Sequence, residues 1–289
     1  MTACIFPGCL VAYRFPEYEK SASLVLDELG VHQIFMDCFT CCGSQVAESA
    51  DEMFLYAIGA RNLAIAQSHG LDTVICLCGS CTYELLLARE WMGNPLNLAR
   101  VNAVLKPEGL FYDARKPPKV KHILEVLDAF PMELEELCRR RLLIRAAVQE
   151  PCNVLRPVDL HPTLEGRRSL LRDIAASSGA KCIQFEYENR CCGGTMLAFD
   201  EPVGMDLASL RYRALEKCDA HVVVTACPNC YSVYYLYPRA VDKKYGKAGS
   251  RLPSALFITQ LLGLSMGMTF SDVGLDRHVD RKHLVKLLG

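Results

Sequence analysis

Five cysteines recur twice along the chain in the same order, and this repeat limits the fold more than any other feature of the sequence. Each copy has a lone cysteine, then an adjacent pair followed by glycine, then a Cys-x-x-Cys. The intervals are 31 and 35 residues in the first copy and 38 and 34 in the second. Such an internal repeat predicts two similarly folded units. The two sets are Cys9, Cys41, Cys42, Cys78 and Cys81, and Cys152, Cys191, Cys192, Cys227 and Cys230.

The length suits two units of ordinary domain size, because 289 residues are more than one average domain needs. We expect a first cysteine-rich domain over residues 1–93 and a helical connector over 94–141. A second domain with a C-terminal helical segment is expected over 142–289. The net charge of −1 gives no general attraction to nucleic acid or to an anionic membrane, so neither partner is expected.

Short apolar runs alternate with helical patterns in both halves, which predicts an α/β fold with a parallel sheet in each unit. The expected strands cover residues 3–6, 31–36, 73–77, 142–149, 181–185 and 220–225. The expected helices cover residues 17–29, 50–68, 80–91, 166–178 and 202–217. The pattern cysteines lie just past the carboxyl ends of these strands. Open α/β sheets bind their ligands at that edge.

The uncharged stretch over residues 252–270 is close to the minimum length for a membrane span. Pro253, Gln260, Gly263 and Gly267 interrupt it, so we expect a buried helix over residues 253–266 and no membrane span.

The chain has sixteen cysteines, and its first residues show no secretory signal pattern. We therefore expect a cytoplasmic protein, in which the thiols are reduced. Clustered thiols in that compartment favour metal or redox chemistry. A Cys-x-x-Cys at a helix N-terminus favours the thiolate, which is the form that binds metal. Five donors are one more than a tetrahedral zinc site or a cubane [4Fe–4S] cluster takes. The spacing therefore predicts soft-metal binding and leaves the metal open.

The complete pattern resembles the cysteine-rich or CCG motif, and a chain with two copies is similar to the HdrB subunit of heterodisulfide reductase and its bacterial relatives, including a sulfur-oxidising branch. The resemblance implies that each five-cysteine set binds one non-cubane [4Fe–4S] cluster. All ten cysteines would then be cluster ligands of the catalytic centre. It also implies that a disulfide or related sulfur substrate, small or protein-bound, is cleaved or formed between the two clusters.

The same resemblance implies two partners, an HdrC-like ferredoxin-type subunit and an HdrA-like flavoprotein subunit. The sequence has no nucleotide-binding glycine motif of its own, which agrees with a subunit that receives electrons from a partner. The substrate stays open, because Cys152 is followed by Asn153 where many relatives have histidine. A charged substrate would require cations. The candidates near the pattern cysteines are Arg14, Arg156 and Arg190.

A second hypothesis belongs to another functional class. The chain would be an electron-relay or quinone-linked subunit of a succinate-, glycolate- or lactate-type oxidoreductase, and one of its two sites would hold only a structural metal. A third hypothesis, a scaffold that binds zinc alone, needs no redox partner. The amounts of iron and zinc per chain separate these hypotheses.

Overall fold

The chain folds into two consecutive α/β units, and the first of them begins with a strand at Thr2. The computed structural model describes residues 2–155, 159–160, 169–246 and 252–289. The strands of the first unit are β1 (Thr2–Phe6), β2 (His32–Ile34), β3 (Thr73–Cys76) and β4 (Lys119–His122). Its helices are α1 (Gly8–Arg14), α2 (Pro16–Glu28), α3 (Ser44–Ala50), α4 (Glu52–Ser68), α5 (Gly79–Trp91), α6 (Pro95–Leu105), α7 (Ile123–Leu127) and α8 (Pro131–Leu137).

The second unit repeats the alternation of strands and helices. Its strands are β5 (Arg145–Gln149), β6 (Lys181–Ile183), β7 (Val222–Thr225) and β8 (Ser254–Phe257). Its helices are α9 (Cys152–Leu155), α10 (Leu170–Ser177), α11 (Met196–Phe199), α12 (Glu201–Glu216), α13 (Pro228–Leu236), α14 (Pro238–Tyr245), α15 (Ile258–Ser265) and α16 (Arg281–Leu288).

Each unit contains one four-stranded sheet, and the two sheets have the same topology. The strand order is β2-β1-β3-β4 in the first and β6-β5-β7-β8 in the second. All of these strand pairs are parallel. Every residue of β3 and of β7 is buried, as expected for strands covered by helices on both faces. The predicted fold class, with two repeated parallel-sheet units, is confirmed.

The predicted helical connector contains a strand, and this part of the prediction was wrong. Within residues 94–141, β4 pairs with β3 and completes the first sheet. Its side chains alternate between exposed and buried positions, with Val120 and His122 inside and two lysines further out. An edge strand of this kind lacks the continuous apolar run that identifies an inner strand. The sequence pattern therefore did not predict a strand here. The division at residues 93 and 141 remains a prediction.

The helix predicted over residues 253–266 is a strand followed by a helix, so this prediction was also wrong. The segment forms β8, and α15 follows it without a break. Both elements are buried and uncharged. The strand ends at Phe257 and the helix begins at the next residue, Ile258, and neither is a proline or a glycine, so no feature of the sequence indicated that a strand ends and a helix begins there. Within the described ranges, no helix has the length and apolar character needed to cross a bilayer.

The two units share one core and are also joined by direct hydrogen bonds. Helix α2 of the first unit packs against α15 of the second, and α5 packs against α9. The Tyr18 hydroxyl donates to the carbonyl oxygen of Ala226 across the interface at 3.1 Å. The Tyr18 ring stacks on Phe257 with 3.8 Å between ring centroids. These contacts fix how the carboxyl edges of the two sheets face each other.

Replacing Tyr18 with phenylalanine is expected to lower the free energy of unfolding by about 1 kcal/mol. The ring would stay stacked on Phe257, but the Ala226 carbonyl would lose the hydroxyl that donates to it. Denaturant unfolding measures the change. Tyr13, which is 86% exposed, supplies the control, and Tyr13→Phe should leave the stability unchanged. A Tyr18→Phe chain as stable as the parent would contradict the role given to this bond.

Candidate metal centre

The lone cysteine of each set lies at the start of a helix that follows an inner strand of its sheet. Cys9 lies in the first turn of α1, after β1, and Cys152 begins α9, after β5. The Cys-x-x-Cys of the first set spans the start of α5: Cys78 is the residue before the helix and Cys81 lies in its first turn. The second set repeats this arrangement at α13. Both sets therefore meet at the carboxyl edges of the sheets, as predicted.

The ten thiols lie beside one another in a single continuous series, which we call the sulfur string. Its order is Cys9, Cys41, Cys42, Cys81, Cys78, Cys227, Cys230, Cys192, Cys191 and Cys152. At one end, the sulfurs of Cys9 and Cys41 lie 3.7 Å apart. In the middle, Cys78 and Cys227 join the two units with 3.9 Å between their sulfurs. Read from either end, the string passes through the motif positions in the same order.

The cysteine pair of each set sits in a turn that only glycine adopts easily. Gly43 and Gly193 follow the two pairs and have φ values of 91° and 89°. This left-handed conformation is costly for residues with a side chain. The turn also directs backbone N–H groups at the sulfurs. The Gly43 N–H donates to Cys41 and the Gly194 N–H donates to Cys192, each with 3.4 Å between nitrogen and sulfur. Such bonds stabilise thiolates.

A cavity of about 210 Å³ lies against the second set, and all five of its cysteines line the wall. The lining also includes Gly79 and Ser80, from the start of α5 in the first unit. Thr195 and Asn229 add polar groups. Five thiols around one cavity are a donor set for soft metals, and iron–sulfur clusters are bound in this way. The residues present therefore fit a cluster.

The thiols of each set are distributed along the sulfur string instead of around one point. In the described ranges, no three Cys, His, Asp or Glu side chains converge closely enough to hold a single metal ion. The thiols of each set lie one after another along a line, so the set has no single point toward which all its sulfurs are directed. A cluster with several metal atoms can use donors arranged in this way.

The first set is more open to solvent than the second. Cys9 and Cys41 are exposed, whereas Cys152 and Cys191 are half-buried. Cys9 also borders a separate open pocket of about 610 Å³ between α1 and the loop after β2. The two ends of the sulfur string therefore differ in access, although the motif positions repeat.

Comparison with protein families identifies the repeat. The cysteine-rich domain family, CCG, matches residues 3–86 and 146–233 of the chain. These two matches contain all ten repeated cysteines and cover more than half of the chain. The chain belongs to the CCG cysteine-rich domain family. Each α/β unit is therefore one CCG unit, and the sulfur string joins the cysteines of the two units.

Relatives that align over nearly the whole chain belong to redox complexes. The chain is 28% identical to the 8-methylmenaquinol:fumarate reductase membrane anchor subunit of Wolinella succinogenes, over 95% of each chain. It is 26% identical to the HdrB subunit of the ferredoxin/F(420)H(2)-dependent CoB-CoM heterodisulfide reductase of Methanosarcina acetivorans, over 95% of this chain and 92% of that protein. The recognition of HdrB-type relatives is thereby confirmed.

A crystal structure of a hypothetical protein from Helicobacter pylori has the same fold. The TM-score is 0.73 at 20% sequence identity. The match covers 96% of this chain, which spans about half, 51%, of that protein.

Neighbouring thiols lower the pKa of the first cysteine of each CCG pair. The pKa of Cys41 is lowered to about 2, because the neighbouring thiols of Cys42 and Cys9 favour its charged form. The pKa of Cys191 is lowered to about 2 in the same way, with Cys152 as the largest cause and Cys192 as the second. A thiolate is the form that coordinates metal. Cys41 and Cys191 therefore have the same chemical character in the two CCG turns.

The arginines predicted to bind substrate do not gather at the cavity of the second set. Arg14, at the end of α1, lines a different pocket of about 520 Å³ together with Lys20 and Arg277. Arg190 is exposed and precedes the second CCG pair, and it is not among the residues that line the cavity. Arg156 lies outside the described residues. A substrate-binding role for these three arginines remains a prediction.

One polar contact at the cavity was not predicted from the sequence. Asn153 follows the lone cysteine of the second CCG unit, and its Nδ2 donates to the hydroxyl of Ser80 at 3.1 Å. Ser80 lies between the two cysteines of the first Cys-x-x-Cys. The available signal was that Asn153 and Ser80 are polar neighbours of predicted ligands. Nothing in the sequence indicated that they would meet across the unit interface.

Proposed function

We propose that this chain is an iron–sulfur oxidoreductase subunit of the HdrB type, in which the two cysteine sets bind two non-cubane [4Fe–4S] clusters. The clusters would cleave or form a disulfide, or a related sulfur bond, in the space between them. The observation that carries the proposal is the sulfur string, which brings two complete five-thiol sets into contact at Cys78 and Cys227. The heterodisulfide reductase relative, aligned over nearly its whole length, supports it.

The residues of the chain have separable tasks in this proposal. The ten cysteines would hold the clusters, and the N–H groups of the CCG turns would stabilise the bound thiolates. An iron–sulfur cluster supplies one-electron redox chemistry when it is bound. The wall formed by α5 and the buried cysteines would limit the access of water to the second set. The exposed end of the first set leaves room for a partner.

An HdrC-like ferredoxin-type subunit and an HdrA-like flavoprotein remain the proposed electron partners, and a cytoplasmic location is part of the same proposal. The Wolinella relative favours a second candidate, an electron-relay or quinone-linked subunit of a fumarate-reductase-type complex. In that candidate one set holds only a structural metal. Both five-thiol sets are complete in this chain, so the geometry supports two redox centres better.

Anaerobic purification followed by iron, sulfide and zinc analysis tests the proposal. Two [4Fe–4S] clusters correspond to about eight iron atoms per chain. The purified chain should also reduce disulfides with a reduced viologen dye as the electron donor. About four iron atoms with one zinc, together with electron exchange with a quinol but not with disulfides, would favour the relay. A colourless chain that contains only zinc would exclude both redox candidates.

A further inference from the structure

The side-chain amide of Asn153 lies between a cysteine of one CCG unit and a serine of the other. Its Oδ1 is 3.5 Å from the sulfur of Cys152, and its Nδ2 is 3.1 Å from the Ser80 hydroxyl. All three residues line the cavity of about 210 Å³ that the second cysteine set faces. Ser80 is 5% exposed, so its hydroxyl is largely withdrawn from water. Through its two hydrogen bonds, the Asn153 amide links the second cysteine set directly to the first unit.

Close packing between α5 and α9 holds this amide in place. A side chain at Gly79 would bring its Cβ to 3.3 Å from a methyl carbon of Val154 and to 3.5 Å from the Cβ of Asn153. Because Gly79 has no side chain, the start of α5 can lie directly against α9. The position of Asn153 relative to the sulfur of Cys152 is therefore determined by the other unit.

An amide suits this place whether the Cys152 sulfur is a free thiol or a metal ligand. As a thiol, Cys152 donates to Oδ1 while Nδ2 donates to Ser80. A sulfur bound to metal only accepts, and a half-turn of the amide would then present Nδ2 to the sulfur. Oδ1 then accepts from the Ser80 hydroxyl, because a hydroxyl can donate or accept. Both hydrogen bonds are kept, and the thiolate gains a donor.

We propose that Asn153 is a positioning residue of the second metal centre and that it sets the reduction potential of this centre. Its amide donates to the Cys152 thiolate and is oriented by Ser80 of the first unit. Hydrogen bonds to sulfur ligands stabilise the added electron, and they raise the reduction potential of iron–sulfur clusters. This inference rests on the proposed function, since it requires a redox cluster at the second set.

The first unit lacks the same device. Leu10 follows Cys9, where Asn153 follows Cys152, and leucine offers no donor. Substituting Asn153 with leucine therefore gives the second set the neighbour that the first set already has. Any effect of this substitution should be confined to one of the two centres.

The test is an anaerobic redox titration of the iron-loaded chain, followed by electron paramagnetic resonance. Asn153→Leu should shift the potential of the second centre to a more negative value and leave the first centre and the iron content unchanged. Asn153→Asp keeps an acceptor for Ser80 but has no donor, so it should shift the potential in the same direction. Ser80→Ala should give a smaller shift of the same sign. Asn97→Leu, on α6, exchanges the same residue types away from both sets and should leave both potentials unchanged.

A second measurement examines the bond between the units without using the metal. In denaturant unfolding of the metal-free chain, the effects of Asn153→Leu and Ser80→Ala should be non-additive, because both remove the same hydrogen bond. Additive effects would overturn the role given to Ser80. An unchanged potential in an Asn153→Leu chain with full iron would overturn the inference and leave the proposed function intact. A parent chain that takes up no iron would overturn the proposed function itself.

Discussion

Replacing Cys191 with serine is expected to remove one of the two proposed clusters, lowering bound iron from about eight to about four atoms per chain. Cys191 lies between Cys152 and Cys192 in the sulfur string, and its thiolate is the most strongly stabilised of the three. A serine hydroxyl has nearly the same size but is a poor ligand for soft metals. Disulfide reduction should fall to background, because one centre alone does not complete the site. Iron analysis and turnover with a reduced dye measure both effects.

Two further cysteine variants make this result specific. Cys41→Ser changes the equivalent position of the first set and should also halve the iron, but it should remove the spectroscopic signal of the other centre. Cys182→Ser is the matched control, because Cys182 is a half-buried cysteine of β6 whose thiol donates to the Arg172 carbonyl. It should retain all iron and full turnover. Turnover that persists in Cys191→Ser would disprove a mechanism that needs both centres.

The sequence predicts the cysteine sets and the sheet edge because both depend on local pattern. A β-branched run such as residues 222–225 identifies a strand that is buried on both faces. Since the carboxyl ends of parallel strands share one edge, the cysteines that follow them must come together within each unit. The position of each five-thiol set could therefore be derived without coordinates.

The meeting of the two units could not be derived in this way. The contact between Cys78 and Cys227 depends on how α2 packs against α15 and α5 against α9. Such packing is determined by shape complementarity between distant segments, and no short pattern encodes it. The pairing of Asn153 with Ser80 was hidden for the same reason. The edge strand β4 was missed because its two lysines interrupt the apolar signal.

A Gly8→Ala substitution is expected to disrupt the first metal centre more than the size of the change suggests. Gly8 begins α1 with a φ of +71°, and a Cβ there would lie 2.7 Å from the sulfur of Cys81. At that distance the sulfur or the backbone must move, and Cys81 lies in the sulfur string between Cys42 and Cys78. The iron of the first centre should be lost in most molecules, while that of the second is retained. Iron analysis and the signals of the two centres distinguish these outcomes.

Gly30→Ala separates the effect on the metal from the cost of the backbone conformation. Gly30 has nearly the same φ, +70°, but among the described residues beyond its two chain neighbours no atom lies within 4 Å of the position of its Cβ. In both variants the left-handed conformation alone should cost about 1–2 kcal/mol of stability, because alanine is strained there. Only Gly8→Ala should also lose iron, since only its methyl group meets a thiol. Equal iron content in the two variants would mean that the sulfur of Cys81 can move away from the added methyl group without loss of metal. The close approach of Gly8 to Cys81 would then not be required for metal binding by the first set.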